Sequence, residues 1–359
     1  MPTPDPGSLI VVGVDGPQLD AAARSRFVDD RIAGVILFTR NAPADEAPEA
    51  VRAALRALLA DARACAAEAD LPEPLCMLDH EGGRVHRFGD ALTHFPPPGQ
   101  LAPLGVAAVE QVARQQAREL RALGFNTILG PVLDLCPAEG TRSHIAARSY
   151  GDDPERTAAL GCAAVAGFLA EGLLCVPKHF PSYGAHPIDP HLDLPTRTET
   201  LAELEARDLV PFRRALAAGA PALMTAHIVA SGLDPELPCT LSPAWLSYVR
   251  DALAFEGCVV SDDLCMHSVK DRYGPADLAE RCLRAGLDLL LVCHPGPETV
   301  AEIRAHLSAV AARDPGFAAR LVEASRRVAA ARAVATARPP TLDDAPFAAG
   351  PTLLAQVRG

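Results

Sequence analysis

The sequence predicts an α/β protein: a single (β/α)8 TIM barrel, with some strands irregular, followed by a short C-terminal extension. Eight short apolar runs recur along the 359 residues, longer amphipathic stretches separate them, and polar side chains concentrate where the runs end. This repetition continues through the chain without a linker rich in Gly or Ser. We therefore expect one barrel domain over residues 1–338 and a tail over residues 339–359, which packs on the barrel or trails from it.

The eight apolar runs are predicted strands. They are rich in Val, Ile, Leu and Cys, and they lack strict alternation of apolar and polar residues, which is typical of parallel strands covered on both faces. In chain order they are residues 9–15, 34–38, 75–79, 127–135, 174–180, 222–229, 257–264 and 287–294.

The stretches between the runs are predicted helices, because their apolar residues recur with helical spacing. The clearest cases are residues 47–69, 107–124, 154–172, 275–286 and 317–337. After the last of these, Pro339 and Pro340 should stop the helix, so we expect an extended tail on the surface.

Composition limits the classes of function. The chain is 49% hydrophobic and carries a formal net charge of −12, without a run of Lys and Arg that could track nucleic-acid phosphates. Its ten cysteines form no C-x-x-C pair, which favours a reducing cytoplasm. The sequence shows no export signal and no apolar run of membrane-spanning length. We expect a cytoplasmic protein that binds a small molecule, with a monomer as the simplest oligomeric state.

Polar side chains follow five of the eight runs, at the strand ends that form the ligand site of such barrels. These residues are Asp79, His80, Glu81, Lys178, His179, His227, Asp262, Asp263 and His294. The segment KHFPSYGAHPIDPHLD, residues 178–193, follows the fifth run. Its prolines and glycine prevent a regular helix, so it should form a loop over the barrel mouth.

Asp262 and Asp263 close the seventh run. Adjacent residues of a strand point to opposite sides, so only one of the two carboxylates can face the barrel axis. That carboxylate is a candidate nucleophile. The alternative is an ordinary helix N-cap, a position that Asp favours.

Asp189 and His191 stand two residues apart around Pro190. A carboxylate within hydrogen-bond reach orients an imidazole and favours its protonated form, so His191 could act first as a general acid and then as a general base. The alternative is a solvated turn. We rank a metal site below acid/base use, because the spacing of its potential ligands matches no specific zinc pattern. Those ligands would be His179, His186, Asp189, His191 and Asp193.

The segment LDHEGGRVHRF, residues 78–88, contains two glycines that allow a tight turn. Asp79 is its expected ligand contact, and Glu81 and Arg84 are expected to pair with each other. Lys178 and His179 could bond sugar hydroxyls or form an ion-paired rim.

Six motifs occur in a fixed order between about residues 8 and 295: LDHEGGRVHRF, PVLDL, ARSYGDDP, KHFPSYGAHPIDPHLDLP, MTAHIV and VVSDDLCM. In this combination the sequence resembles the family 3 glycoside hydrolases, and among them the single-domain bacterial β-N-acetylhexosaminidases of the NagZ-like, peptidoglycan-recycling type. The resemblance implies an exo-acting β-N-acetylglucosaminidase that cleaves muropeptide or chitooligosaccharide fragments, without a cofactor or a metal.

The resemblance also implies a role for individual residues. The mechanism would be retaining, with Asp262 as the nucleophile of a covalent intermediate and His191, oriented by Asp189, as the acid/base group. The substrate contacts that it implies are Asp79, Arg148, Lys178, His179, Met224 and His227.

The loop after the fifth run departs from the family pattern. The segment Ser182-Tyr183-Gly184-Ala185 stands where G-H-G-D is usual, and Pro190 replaces the serine between the two dyad residues. His80 and His294 stand where a glutamine and an asparagine are usual. These departures leave open a sugar-binding or weakly active barrel, a phosphorylase, and a glycosidase with another sugar specificity.

Overall fold

The computed structural model describes residues 3–137, 141, 143–187, 193–296 and 298–358. Its strands are β1 Ile10–Gly13, β2 Gly34–Leu37, β3 Leu75–Leu78, β4 Thr127–Ile128, β5 Leu174–Cys175, β6 Thr196–Thr200, β7 Ala222–Met224, β8 Val229–Gly232, β9 Cys258–Asp263 and β10 Leu289–Val292. Its α-helices are α1 Ala21–Val28, α2 Pro48–Glu68, α3 Pro98–Leu101, α4 Val106–Leu123, α5 Pro154–Ala170, α6 Leu201–Ala206, α7 Leu209–Ala217, α8 Pro243–Ser247, α9 His267–Lys270, α10 Pro275–Ala285, α11 Thr299–Arg313, α12 Pro315–Ala335 and α13 Ala345–Arg358.

Eight strands form one parallel sheet in the order β5-β4-β3-β2-β1-β10-β9-β7. Beyond β5, the chain bonds to β7 at the other end of this order: the N–H of Met224 donates to the Pro177 carbonyl at 2.9 Å, and that of Phe180 to the Met224 carbonyl at 2.8 Å. The sheet is therefore a nearly closed barrel surrounded by helices, and the predicted (β/α)8 fold is confirmed.

The strands coincide with the apolar runs because both faces of the barrel wall are covered. Every residue of β1, β2, β3 and β10 is buried. The fourth run is irregular, as expected: β4 ends at Ile128, Pro131 has no N–H to donate, and parallel pairing resumes between Val132 and Lys178.

A second, two-stranded parallel sheet, formed by β6 and β8, was not expected from the sequence. The residues of β6 are TRTET, which are polar and partly exposed, so they give no apolar signal. Arg197 of β6 donates to the Ser182 carbonyl at 3.1 Å and pairs with Asp208 at 2.7 Å. The small sheet therefore holds the chain that follows β5.

The expectation of an extended tail is wrong beyond Asp344, because α13 begins at Ala345 and packs on the barrel. The ring of Phe347 lies 4.6 Å from the Arg52 guanidinium carbon of α2, and Gln115 of α4 donates to the Pro346 carbonyl at 2.6 Å. The apolar side chains of α13 find a surface on these two helices, which sustains a helix that would be marginal alone. Within the described ranges, none of the helices combines the length and apolar character needed to cross a bilayer.

Candidate active site

A cavity of about 320 Å³ lies at the carboxyl ends of the barrel strands, within the usual size range of small-molecule sites. The loops after β3, β4 and β5 and the end of β9 line it. The lining residues are Asp79, Glu81, Arg84, Val85, Arg87, His144, Arg148, Lys178, His179, Tyr183 and Asp262. Five predicted site residues thus share one cavity, although they come from four segments of the chain.

Buried ion pairs form one wall of the cavity. The ammonium nitrogen of Lys178 lies 2.5 Å from Oδ1 of Asp79 and 2.7 Å from Oε1 of Glu81. The guanidinium of Arg148 donates to both oxygens of Glu81, at 2.7 and 2.8 Å. The expected pairing of Glu81 with Arg84 is therefore wrong. Arg84 donates to the His144 carbonyl, and Glu81 pairs with Arg148 and Lys178, which follow other strands.

These contacts keep the wall ionised. Burial alone would raise the pKa of Glu81, but Arg148 and Lys178 outweigh it and hold the pKa well below its ordinary value. Burial alone would lower the pKa of Lys178, yet Asp79 and Glu81 raise that pKa. A charged wall of fixed geometry offers hydrogen-bond donors and acceptors of the kind that hold sugar hydroxyls.

Asp134, which follows β4, is a site residue that sequence reasoning missed. Its Oδ2 lies 2.8 Å from Nδ1 of His179 and accepts the His179 backbone N–H at 3.0 Å, while its Oδ1 accepts the Tyr183 N–H at 2.6 Å. Burial would raise the pKa of Asp134, but His179 and the Tyr183 N–H outweigh it, so that the pKa is lowered. An ionised carboxylate only accepts, so Nδ1 of His179 carries a proton here. The motif PVLDL contains this aspartate, but the motif alone does not reveal its partner.

The two aspartates that end β9 take different roles. Asp262 lines the cavity, where its Oδ1 accepts the Asp263 N–H at 2.8 Å and its Oδ2 accepts the Tyr183 O–H at 3.3 Å. Burial would raise the pKa of Asp262, but His179 and His227 outweigh it and lower the pKa. This carboxylate is therefore ionised, as a nucleophile must be.

Asp263, by contrast, binds two backbone N–H groups. Its Oδ1 accepts the backbone N–H groups of Cys265, at 2.9 Å, and Cys293, at 3.0 Å. It therefore ties the turn after β9 to the end of β10, and it does not cap α9, whose N-cap is Met266.

Two further predicted contacts lie away from the main cavity wall. Met224 lines a neighbouring cavity of about 240 Å³, which shares Asp79 and Asp262 with the first. His227 is fully buried; its Nδ1 is 2.8 Å from the Thr240 hydroxyl and its Nε2 is 3.0 Å from the Asp263 carbonyl. In this structure His227 supports the end of β9.

The predicted dyad, Asp189 and His191, lies outside the described residues, as does Pro190 between them. The acid/base role of the dyad therefore stays a prediction from the sequence. Within the parts of the chain that the structure describes, no group of three His, Cys, Asp or Glu side chains is arranged to hold a metal ion.

Arg87 is a second residue that sequence reasoning missed. Its guanidinium lies 3.6 Å from Oδ2 of Asp79 and 5.7 Å from the centre of the Phe38 ring, and it lines both cavities. The signal was present in the sequence, because Arg84 and Arg87 both follow the two glycines of the segment after the third run.

Comparison with known proteins agrees with this geometry. A model of the Glycosyl hydrolase family 3 N terminal domain matches residues 6–331. A β-hexosaminidase of Stenotrophomonas maltophilia (strain R551-3) is 37% identical over 295 residues, which is 80% of this chain and 84% of the relative.

Two solved structures are similar over nearly the whole chain. A family 3 β-N-acetylglucosaminidase of Paenibacillus sp. str. FPU-7 gives a TM-score of 0.86 at 32% identity, covering 98% of this chain and 67% of that one. Native NagZ from Neisseria gonorrhoeae gives a TM-score of 0.79 at 30% identity and covers 100% of both chains. The family model and the similar proteins all match the residues that form the barrel and its cavity. The chain therefore belongs to glycosyl hydrolase family 3.

Proposed function

We propose that this glycoside hydrolase is a retaining exo-β-N-acetylglucosaminidase, with Asp262 as its nucleophile. The observation that carries the proposal is the state of Asp262: an ionised carboxylate that lines a sugar-sized cavity at the strand ends of the barrel. The names of the similar proteins, a β-hexosaminidase and a β-N-acetylglucosaminidase, support the same activity.

The proposed reaction has two steps. Asp262 attacks the anomeric carbon while His191, oriented by Asp189, protonates the leaving oxygen, so that the glycosidic bond breaks and a glycosyl ester forms. His191 then takes a proton from water, whose oxygen displaces Asp262 from the same carbon. Two displacements restore the original β configuration.

The other cavity residues would bind the sugar. Asp79, Arg148, Lys178 and His179 carry hydrogen-bonding groups on the cavity wall. We propose that Met224 contributes an apolar contact from the neighbouring cavity, beside Asp262. His227 would act through its neighbours, because both of its ring nitrogens already bond to protein.

We propose muropeptide or chitooligosaccharide fragments as substrates and the cytoplasm as the place of action. The resemblance to NagZ from Neisseria gonorrhoeae supports the first proposal. The second is supported by the ten cysteines, all of which are free thiols in the structure.

The test is Asp262→Ala, assayed with an aryl N-acetyl-β-glucosaminide. We expect a loss of at least about 10³-fold in kcat, because the covalent step loses its nucleophile. Asp251→Ala, at an exposed position, is the matched control and should keep full activity. Wild-type activity in the Asp262 variant would refute the assignment.

The wild-type reaction tests the mechanism. Proton NMR should show the β-anomer of N-acetylglucosamine as the first product, whereas an α-anomer would refute retention. Water is the expected acceptor in the second step, because water hydrolyses the glycosyl-enzyme intermediate of retaining glycosidases. Formation of sugar 1-phosphate in phosphate buffer would identify a phosphorylase instead.

A further inference from the structure

We propose that the Tyr183 hydroxyl assists the second step of this reaction by donating a hydrogen bond to Asp262 as that carboxylate leaves the sugar. The inference rests on the proposed function, since it requires a glycosyl ester on Asp262. It gives Tyr183 a role in the reaction that the sequence alone did not suggest.

The position of the phenol is fixed from two sides. Tyr183 is 1% exposed, and its own N–H bonds to Asp134 at 2.6 Å. Its ring centre lies 5.0 Å from that of His179 and 5.2 Å from that of His144. The ring therefore forms part of the cavity wall and has little freedom to turn away.

The direction of the hydroxyl proton follows from its neighbours. The backbone N–H of His227 donates to the phenol oxygen at 3.0 Å, and Oδ2 of Asp262 lies 3.3 Å from the same oxygen. Because the first contact uses the oxygen as an acceptor, the O–H is left to donate to the carboxylate. Burial, together with the charge of Asp262, raises the pKa of Tyr183 well above its ordinary value, so the phenol keeps this proton.

The second step returns charge to Asp262. The water oxygen bonds to the anomeric carbon and its proton passes to His191, while the bond from that carbon to the Asp262 oxygen breaks and its electron pair returns to the carboxylate. Both carboxylate oxygens share this charge, so a donor at Oδ2 stabilises the leaving group whichever oxygen carried the sugar.

The same hydrogen bond has the opposite effect on the first step, the formation of the ester. Before attack, the same hydrogen bond stabilises the free carboxylate and so moderates its nucleophilicity. Removing the hydroxyl should therefore slow the breakdown of the ester without slowing its formation. A purely structural role for Tyr183 would not separate the two steps in this way.

Other ionisable groups also influence the pKa of Asp262, and they must be known before a pH profile is interpreted. Among the described residues, the titratable or charged groups that interact with Asp262 or Tyr183, or that line the two cavities, include Asp79, Glu81, Arg84, Arg87, Asp134, His144, Arg148, Lys178, His179, His227, Asp263, Cys265, His267, Cys293 and His294. Tyr183→Phe removes no charge from this set; it removes one hydroxyl, which donates to Asp262 and accepts the His227 N–H. The acidic limb of kcat/KM should then move to higher pH, because the ionised form of Asp262 loses a hydrogen bond.

The experiment compares wild type with Tyr183→Phe on an aryl N-acetyl-β-glucosaminide that has a good leaving group. We expect kcat to fall about tenfold, the scale of one hydrogen bond to a charged group. A burst of aryl alcohol equal to the enzyme concentration should precede the slow phase, and the glycosyl-enzyme should accumulate by mass spectrometry. Tyr248→Phe is the matched control, because it removes a phenol that donates to Glu205 outside the cavity, and it should behave as wild type.

The outcomes separate the two proposals. An active wild type whose Tyr183→Phe variant has the same kcat, burst and pH profile would overturn this inference alone. A wild type without activity on any aryl glycoside would overturn the proposed function and this inference with it. Should the Phe variant not fold, 3-fluorotyrosine at position 183 keeps the ring and strengthens the donor; a higher rate of ester breakdown would support the inference, and an unchanged rate would overturn it.

Discussion

His179 and Asp134 are 45 positions apart in the chain, yet Nδ1 of the imidazole lies 2.8 Å from Oδ2 of the carboxylate. The pair brings the chain after β4 together with the chain after β5, and the carboxylate also accepts two backbone N–H groups. This one buried side chain therefore fixes the orientation of His179 and the start of the loop that carries Tyr183.

Asp134→Asn tests that arrangement. The amide nitrogen cannot accept the donors that now share Oδ2, so we expect the free energy of unfolding to fall by about 2–3 kcal/mol. We also expect kcat/KM to fall at least about tenfold, because the His179 ring is no longer oriented. Urea unfolding and initial rates measure the two effects. Asp251→Asn makes the same change at an exposed position and should alter neither; an Asp134 variant as stable and active as wild type would show that the pair has no orienting role.

Glu81 should make stability depend on pH. Its pKa in the folded protein is well below the ordinary value of 4.5, so its ionised form contributes stability that is fully present above that value. The contribution is lost as the pH falls from about 4.5 toward the lowered pKa. Glu81→Gln should therefore be less stable than wild type by about 3 kcal/mol at pH 7, and the difference should shrink below pH 4.5.

Urea unfolding at a series of pH values between 7 and 3.5 measures this difference. Glu256→Gln is the matched control, because the Glu256 side chain is 77% exposed, and its curve should follow that of wild type. A Glu81→Gln deficit that stays constant down to the lowest pH would contradict the linkage argument.

Phe347 should hold α13 on the barrel. Its ring lies against the guanidinium groups of Arg52 and Arg56, at 4.6 and 5.8 Å from the ring centre. Phe347→Ala should lower the free energy of unfolding by about 1–2 kcal/mol, through lost apolar burial and cation–π contact, and leave kcat/KM unchanged. Leu342→Ala, at a residue that is 51% exposed, should change neither quantity. Stability equal to wild type in the Phe347 variant would mean that α13 is held by other contacts.

Local patterns in the sequence were sufficient for the barrel and for a pair of candidate nucleophiles. Apolar runs buried on both faces became its eight strands, and Asp262 and Asp263 became candidates because they stand at the end of one of them; the choice of Asp262 came from the family resemblance. The tail was misread for an equally local reason: prolines stop a helix, but they do not prevent a new one at Ala345 when a neighbouring surface stabilises it.

Local sequence patterns did not predict the hydrogen-bond and ion-pair partners of the site residues. Glu81 was expected to pair with Arg84, three residues away, but in the structure it bonds to Arg148 and Lys178. Tyr183 showed no role until the fold placed its hydroxyl against Asp262. The predicted dyad of Asp189 and His191 lies outside the described residues and remains a prediction.

The sequence by itself determined the succession of strands and helices, and it identified which chemical groups stand at the strand ends. These are local properties, because burial pattern and strand termination depend on neighbouring residues. Only the tertiary structure decided which of those groups are paired, protonated or oriented. Barrel closure brings distant segments into one cavity, and there the energy of each buried charge depends on the donor or counter-ion that reaches it from another strand.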